Sequence, residues 1–182
     1  MELRPGRTIL EEAAIVRRVG ELAREINQAC DGAPVTIVGV LDGCLIFLAD
    51  LMRRFEMPLD VVLVRIKTYL DSDVPQKTPV ISPDDLCRVS GRRVLVVDDI
   101  YDTGATLAAL KKSLYEAGVA EVKACALLEK KRSPVRTREL DFVGFLIPDV
   151  FVVGYGLDYA GLYRNLPYIA ELEGYDEPPA RA

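Results

Sequence analysis

The chain has no histidine among its 182 residues, and that absence excludes more chemistry than any other feature of its composition. Without imidazole there is no Ser-His or Cys-His nucleophilic pair and no histidine base. Nearly all mixed-ligand sites for zinc or non-haem iron go with it. Proton transfer falls to carboxylates, lysines or tyrosines, and a catalytic metal would be a hard ion bound through oxygen, for which magnesium is the best fit. Cysteine is sparse as well. Cys30, Cys44, Cys87 and Cys125 stand far apart with no CxxC pair, which argues against a zinc knuckle or a redox dithiol and leaves buried, reduced thiols as the expectation. No run approaches the ~20 apolar residues of a membrane span, and Met-Glu-Leu-Arg-Pro-Gly-Arg lacks the apolar core of a signal peptide. A cytoplasmic protein without membrane contact is expected. Excess positive charge is missing too: the formal net charge is -5 and the pI about 4.9, so no broad basic footprint for nucleic acid is expected. Neither GxGxxG after a strand nor GxxxxGK[ST] occurs, which disfavours a dinucleotide dehydrogenase and a P-loop NTPase.

What is present suits one α/β domain: 50% hydrophobic and 28% charged residues, with strand patterns alternating with helical ones. Residues 94–107, Val-Leu-Val-Val-Asp-Asp-Ile-Tyr-Asp-Thr-Gly-Ala-Thr-Leu, are the centre of the reading. Val94 to Val97 form a β-branched run too short for a helix, and so predict a strand buried on both faces. Asp98, Asp99 and Asp102 follow. Thr103-Gly104-Ala105-Thr106 then opens a helix with Leu107, Leu110 and Leu114 on one face and Gly118 as its stop. Backbone N–H groups at a helix start attract phosphate, and Thr103 and Thr106 add hydroxyls. Acids beside a phosphate would face sugar hydroxyls, a divalent cation or a proton to be removed. A loop that only capped its helix would need one Asp or Thr, not three acids and two threonines.

The flanking segments repeat the pattern. Residues 11–29 place Ile15, Val19 and Ile26 at helical spacing, with Ala14 and Leu22 nearby; Val35 to Leu41 predicts a second buried strand, Asp42-Gly43 a tight loop, and about 44–54 a helix. Asp60 to Tyr69 predicts a third strand. Residues 70–83 carry three prolines among small polar residues and suit either a lid or a solvated hairpin. Val122 to Leu128 predicts a strand ending in the basic cluster Lys130-Lys131-Arg132; Asp141 to Phe145 and Phe151 to Val153 are shorter strands around Pro148-Asp149. Gly154-Tyr155-Gly156-Leu157-Asp158-Tyr159 follows, with Arg164 close behind, and 176–182 is expected to be disordered. In open α/β sheets ligands gather outside the carboxyl ends of the strands, where all these polar clusters fall. A receiver-type signalling domain also keeps acids at strand ends, but would want its acidic pair after the first strand.

These residues resemble the type I phosphoribosyltransferases, and within them the bacterial hypoxanthine-guanine enzymes. Residues 94–107 resemble their phosphoribosyl-pyrophosphate signature, and Val40-Leu41-Asp42-Gly43 with Phe47-Leu48-Ala49-Asp50-Leu51 their pyrophosphate loop and following helix. Leu127-Leu128-Glu129-Lys130 is similar to their base-binding lysine region. Asp141-Phe142-Val143-Gly144-Phe145 through Arg164-Asn165-Leu166-Pro167-Tyr168 is similar to their purine-binding hood, the segment that separates 6-oxopurine enzymes from those acting on orotate, adenine or uracil. The resemblance covers about residues 8 to 170.

The resemblance implies one domain over 1–182: a mainly parallel sheet flanked by helices, with a core over about 30–140 and a small hood from about 1–12 and 141–175. It implies magnesium-dependent transfer of the phosphoribosyl group of phosphoribosyl pyrophosphate to a 6-oxopurine, by a homodimer or homotetramer. Asp102, Thr103, Gly104, Ala105 and Thr106 would hold the 5′-phosphate, and Asp98 and Asp99 would address the ribose and a metal. Asp102 would also be the general base at purine N7. Leu41, Asp42, Gly43 and Arg164 would meet pyrophosphate, and a cis Leu41–Asp42 peptide is one way for that backbone to do so. Lys130 would read the 6-oxo group, Phe151 would stack on the base, and the Val152 backbone would meet its exocyclic edge. Asp158 would lie at the purine site and bind magnesium carried by the pyrophosphate, while Thr68 and Tyr69 would begin a lid over 70–81. Asp42 stands where Lys or Arg is common in the family, and Asp98 where Glu is common. The rival from another class is a non-catalytic nucleotide-sensing regulator on the same scaffold, which should carry a basic face for RNA.

Overall fold

The computed structural model describes residues 4–69, 76–80, 83–131 and 139–175. Two sheets organise them. The larger joins β2 (Val35–Leu41), β3 (Leu59–Tyr69), β4 (Gln76–Val80), β5 (Arg93–Tyr101), β6 (Glu121–Lys130) and β7 (Phe142–Ile147) in the order β4-β3-β2-β5-β6-β7. All pairings are parallel except β3 with β4. The smaller is antiparallel and joins β1 (Arg4–Leu10), β9 (Ile169–Glu173) and β8 (Val152–Val153) in the order β1-β9-β8.

Alternation along β5 explains its place at the centre. Leu95 and Val97 pack into the cluster formed with α1 (Glu12–Cys30) and α2 (Leu45–Met52), while Val94 and Val96 pack into the cluster under α4 (Ala105–Glu116). Each of the four is at most 2% exposed, worth about 1.5–3 kcal/mol per side chain for full burial. Helix α1 buries Ile15, Val19 and Ile26, the face that its spacing predicts, together with Leu22 and Ala23, and ends at Asp31 in the left-handed region (φ 48°). The short helix α3 (Pro83–Val89) precedes β5.

Three sequence expectations change, and a fourth, over 70–83, narrows to its hairpin alternative. The strand expected over Val94–Val97 runs to Tyr101, because the ten-residue β6 pairs with it as far as Tyr101 with Glu129, so Asp98 and Asp99 lie within the strand rather than after it. Phe142–Ile147, assigned by sequence to the hood, is the edge strand of the large sheet: it pairs with Cys125–Lys130, and Arg18 of α1 donates to the carbonyls of Gly144 and Val143 (2.9 and 2.8 Å). The last short strand is Val152–Val153, and Phe151 lies just outside it, its carbonyl accepting from the Leu172 amide (2.9 Å). Within 70–83, residues 76–80 form β4, paired so that Thr68 faces Lys77 and Tyr69 faces Gln76. The rest of the expected lid, 70–75 and 81–82, lies outside the described residues, as does the expected disordered tail 176–182.

Strands β2 and β5 are neighbours in the sheet, yet the chain leaves β2 toward β3 on one side and β5 toward β6 on the other. A sheet that reverses its order in this way opens a crevice at the carboxyl ends of the two strands. Among the described residues no helix is long and apolar enough to cross a membrane.

Candidate active site

The crevice is a cleft of about 380 Å³, lined by Leu41 at the end of β2, by Asp42 and Gly43 after it, by Asp98 to Gly104 with Thr106 and Leu107 around the end of β5, and by Asp158 and Arg164. Thus most of the residues singled out for phosphate, ribose and pyrophosphate meet in one space. Ala105 starts α4 beside them, with Gly104 as its cap at φ 79°; the Ala105 amide donates to Thr103 Oγ1 (3.4 Å) and the Ala108 amide to the Gly104 carbonyl (2.9 Å). The first-turn N–H groups of a helix have no partners within it, so this end is suited to an anion.

The floor is packed backbone against carboxylate. A Cβ added to Gly43 would lie 1.7 Å from Asp99 Oδ2, and one added to Gly156 (φ 103°) would lie 2.2 Å from the Gly43 carbonyl oxygen. Gly156 therefore requires glycine, and a side chain at Gly43 would displace the Asp99 carboxylate, since the loop after β2 is sandwiched between β5 and the loop after β8. The Leu41–Asp42 peptide is cis. Asp99 follows Leu95 and Val97 by alternation to this face. Its amide donates to Asp98 Oδ1 (3.0 Å) and the Ile100 amide to Asp99 Oδ1 (2.9 Å). Burial pushes the Asp99 carboxyl above its usual range, against the opposing pull of its hydrogen bonds and of the Arg164 charge. Burial likewise raises the thiol of Cys44, with the nearby Asp98 and Asp99 adding to it, so this cysteine stays protonated.

Arg164 is held from two sides: Nη1 donates to the Gly156 carbonyl (2.6 Å) and Nη2 pairs with Asp158 Oδ1 (2.8 Å). Asp158 Oδ2 accepts from the Gly161 amide (2.7 Å), so in this structure the carboxylate expected at a metal is engaged by the arginine expected at pyrophosphate. No group of three or more Cys, Asp or Glu side chains forms a metal cage among the described residues. The donor set is nevertheless all oxygen. That arrangement fits magnesium, which binds through one or two carboxylates with phosphate oxygens and water rather than in a protein cage.

Lys130 joins this cleft to a second cavity of about 200 Å³, lined by Lys130, Asp149, Val150, Phe151, Glu171, Leu172 and Tyr175. Its ammonium lies 3.6 Å from Asp102 Oδ2 and 3.3 Å from Asp149 Oδ1. Phe151 stacks at a tilt on Tyr175 (centroids 4.2 Å apart) and meets Tyr159 edge-on (5.8 Å). Val152 is buried next to it in β8. Thr68 and Tyr69 are the last two residues of β3.

Sequence reasoning missed Asp149, Tyr175 and Tyr155. Asp149 was visible only as a turn residue after Pro148, and Tyr175 only as the end of the hood. Tyr155 is 5% exposed, and its hydroxyl donates to Asp50 Oδ2 on α2 (2.7 Å), tying the loop after β8 to the helix after the β2 loop. Nothing local in the sequence signals that contact, which spans 105 positions.

Comparison with known proteins agrees with the geometry. Residues 6–160 match the model of the phosphoribosyl transferase domain. The hypoxanthine-guanine phosphoribosyltransferase of Bacillus subtilis is 36% identical over 167 residues, covering 92% of this chain and 93% of that protein, and the one from Aquifex aeolicus is 39% identical over 166 residues, covering 91% and 93%. A bifunctional TilS/HprT protein of Listeria innocua is 36% identical over 167 residues, covering 92% of this chain, which spans only about a quarter (26%) of that larger protein. A crystal structure of a hypoxanthine-guanine phosphoribosyltransferase from Bacillus anthracis superimposes with a TM-score of 0.82 at 32% identity, covering 94% of this chain and 99% of that one. With the signature cleft at the sheet's switch point and matches that run nearly end to end, the chain belongs to the phosphoribosyltransferase family, in its hypoxanthine-guanine group.

Proposed function

We propose that this protein transfers the 5-phosphoribosyl group of phosphoribosyl pyrophosphate to N9 of a 6-oxopurine, hypoxanthine or guanine, releasing pyrophosphate and giving IMP or GMP in purine salvage. The observation that carries the reading is the approach of Lys130 to Asp102 across the boundary between two cavities. One is acidic and opens on a helix start; the other carries the rings of Phe151 and Tyr175 beside Lys130, Asp149 and Glu171. They have the chemistry of a sugar phosphate and of a flat base respectively, and relatives named for this activity support the same assignment.

In this reading Asp102 to Thr106 hold the 5′-phosphate, and Asp98 and Asp99 address the ribose hydroxyls. Leu41, Asp42 and Gly43 offer backbone to pyrophosphate, and Arg164 offers charge. Lys130 reads the 6-oxo group, Phe151 stacks on the ring, and Val152 meets the exocyclic edge from its backbone. The smaller sheet serves as a hood, and Thr68 and Tyr69 lead into a lid that keeps water from the reacting carbon. Asp158, with Asp98 and Asp99, would hold magnesium together with substrate oxygens; when bound, that ion would neutralise the departing pyrophosphate.

The chemistry follows from charge. As the bond from ribose C1 to pyrophosphate breaks, positive charge develops on the sugar, as in glycoside hydrolysis, and carboxylates nearby stabilise it. Arg164, already fixed by Asp158 and the Gly156 carbonyl, is preorganised to meet the leaving anion. The purine N9 then attacks, and Asp102 takes the N7 proton. The unpaired state of Cys30, Cys44, Cys87 and Cys125 suits a reducing cytoplasm. The exposed Leu59 and Leu63 on β3 suit burial against a second copy in a homodimer or homotetramer.

Incubation with phosphoribosyl pyrophosphate, magnesium and each of hypoxanthine, guanine, xanthine and uracil tests the reading. Nucleotide from hypoxanthine or guanine, and none from uracil, is expected. No product from any base would return the nucleotide-sensing regulator.

A further inference from the structure

Among the described residues the cleft is lined by five carboxylates, Asp42, Asp98, Asp99, Asp102 and Asp158, and by one guanidinium, Arg164, whose charge Asp158 already shares. Such a surface is poorly matched to a diphosphate unless some of those charges are neutralised. Asp42 is the acid nearest the loop after β2, and it has a partner that does not line the cleft. Arg65, on the neighbouring strand β3 and in register with Leu41, reaches Asp42 with both terminal nitrogens: Nη2 to Oδ1 at 2.9 Å and Nη1 to Oδ2 at 3.4 Å. This is the two-pronged guanidinium-carboxylate geometry, with directional strength that a single contact lacks.

We infer that Arg65 is a positioning residue for the diphosphate end of the substrate: by pairing with Asp42 it neutralises the acid at the mouth of the cleft and allows the loop Leu41–Gly43 to accept a diphosphate. The inference rests on the phosphoribosyltransferase reading. Arg65 acts through Asp42, and no contact between Arg65 and the ligand is required. Because both side chains are substantially exposed (67% and 44%), the pair contributes little to fold stability. Its effect on a multiply charged ligand a few ångströms away is larger, because each ligand charge feels the uncancelled carboxylate.

The pair has four charge states that can be made separately. The native pair sums to zero, Arg65→Ala leaves one negative charge, Asp42→Asn leaves one positive charge, and the double variant returns to zero. Equilibrium binding of magnesium pyrophosphate by the four full-length proteins should therefore rank Asp42→Asn tightest, the native protein and the double variant together, and Arg65→Ala weakest. Each step should be about 3–10-fold at low salt, and the spread should shrink as ionic strength rises. Unchanged binding in Arg65→Ala, whatever happens to its melting temperature, overturns the inference. A double variant as weak as Arg65→Ala overturns it too, since Arg65 would then act on the ligand directly. If the native protein binds pyrophosphate but makes no nucleotide, the transferase reading fails while the ranking still tests the charge pair; if the native protein binds none, both fall.

Discussion

The Lys130 ammonium stands 3.6 Å from the Asp102 carboxylate with only 10% of the lysine side chain exposed, so the group proposed to read the base and the group proposed to take its proton are electrostatically joined. Asp149, 3.3 Å away on the other side, completes the arrangement. If Asp102 is the base at N7, Asp102→Ala should lower kcat by about 10²–10⁴, with the KM for phosphoribosyl pyrophosphate changing less. Steady-state kinetics with hypoxanthine decide it, and an unchanged kcat would remove Asp102 from that role.

The same geometry makes a prediction for Lys130. A buried ammonium between two carboxylates leaves both uncompensated when it is lost, and the base loses its partner at the 6-oxo group. Lys130→Met should raise the KM for hypoxanthine at least ~10-fold, of the order expected for a lost charged hydrogen bond, and should lower the melting temperature. Asp149→Asn keeps the ammonium and should lower the melting temperature less. Equal effects of both variants on the base KM would mean that the base contact depends on the Lys130–Asp149 pair rather than on the ammonium alone.

Much of this site could be read from residues adjacent in the chain. The strand-acid-helix run 94–107 carries its own pattern: β-branched residues buried on two faces, then carboxylates, then an N-terminal helix turn with glycine as cap. The face of α1 was equally legible, because a 3.6-residue period does not depend on what the helix packs against. What could not be read depends on partners far along the chain. The length of β5 is set by β6, the placement of β7 by its pairing with β6 and by Arg18, and the roles of Tyr155 and Arg65 by Asp50 and Asp42 on other elements. Local chemistry therefore identified the cleft, and long-range pairing determined how its walls are held.

Gly43 tests the walls directly. Its substitution by alanine would bring a methyl within 1.7 Å of Asp99 Oδ2, so either the carboxylate or the loop must shift. Gly43→Ala should displace either the loop or Asp99, and should weaken magnesium pyrophosphate binding by at least ~10-fold, since misplacement by about an ångström at a reacting site carries a penalty of this order or more. Circular dichroism should remain native, because the clash is confined to the cleft floor. Tight binding in Gly43→Ala would show that this loop does not form the pyrophosphate site.

Tyr155 gives a prediction with a pH signature. Its ring is buried and its hydroxyl donates to Asp50, and burial first, then that hydrogen bond and the Asp50 charge, push its ionisation above the usual tyrosine value. Tyr155→Phe removes a hydrogen bond to a charged acceptor and should cost about 1.5 kcal/mol near neutral pH, roughly 3–6 °C in Tm for a chain of this size. The sign of the pH effect follows from where the proton stays. Above about pH 10 the unfolded chain releases the Tyr155 proton while the folded chain keeps it, so the folded state binds more protons and its stability falls as pH rises. The contribution of Tyr155 is thus complete below the unfolded value and is lost as pH climbs through the raised folded one. Phenylalanine cannot titrate, and the other tyrosines and lysines are common to both proteins, so the stability difference between native protein and Tyr155→Phe should be largest at pH 7–9 and shrink as pH passes 10. Urea unfolding at several pH values measures it; a difference that stays constant to pH 11 would mean that neither burial nor Asp50 holds the proton on Tyr155 in the folded chain.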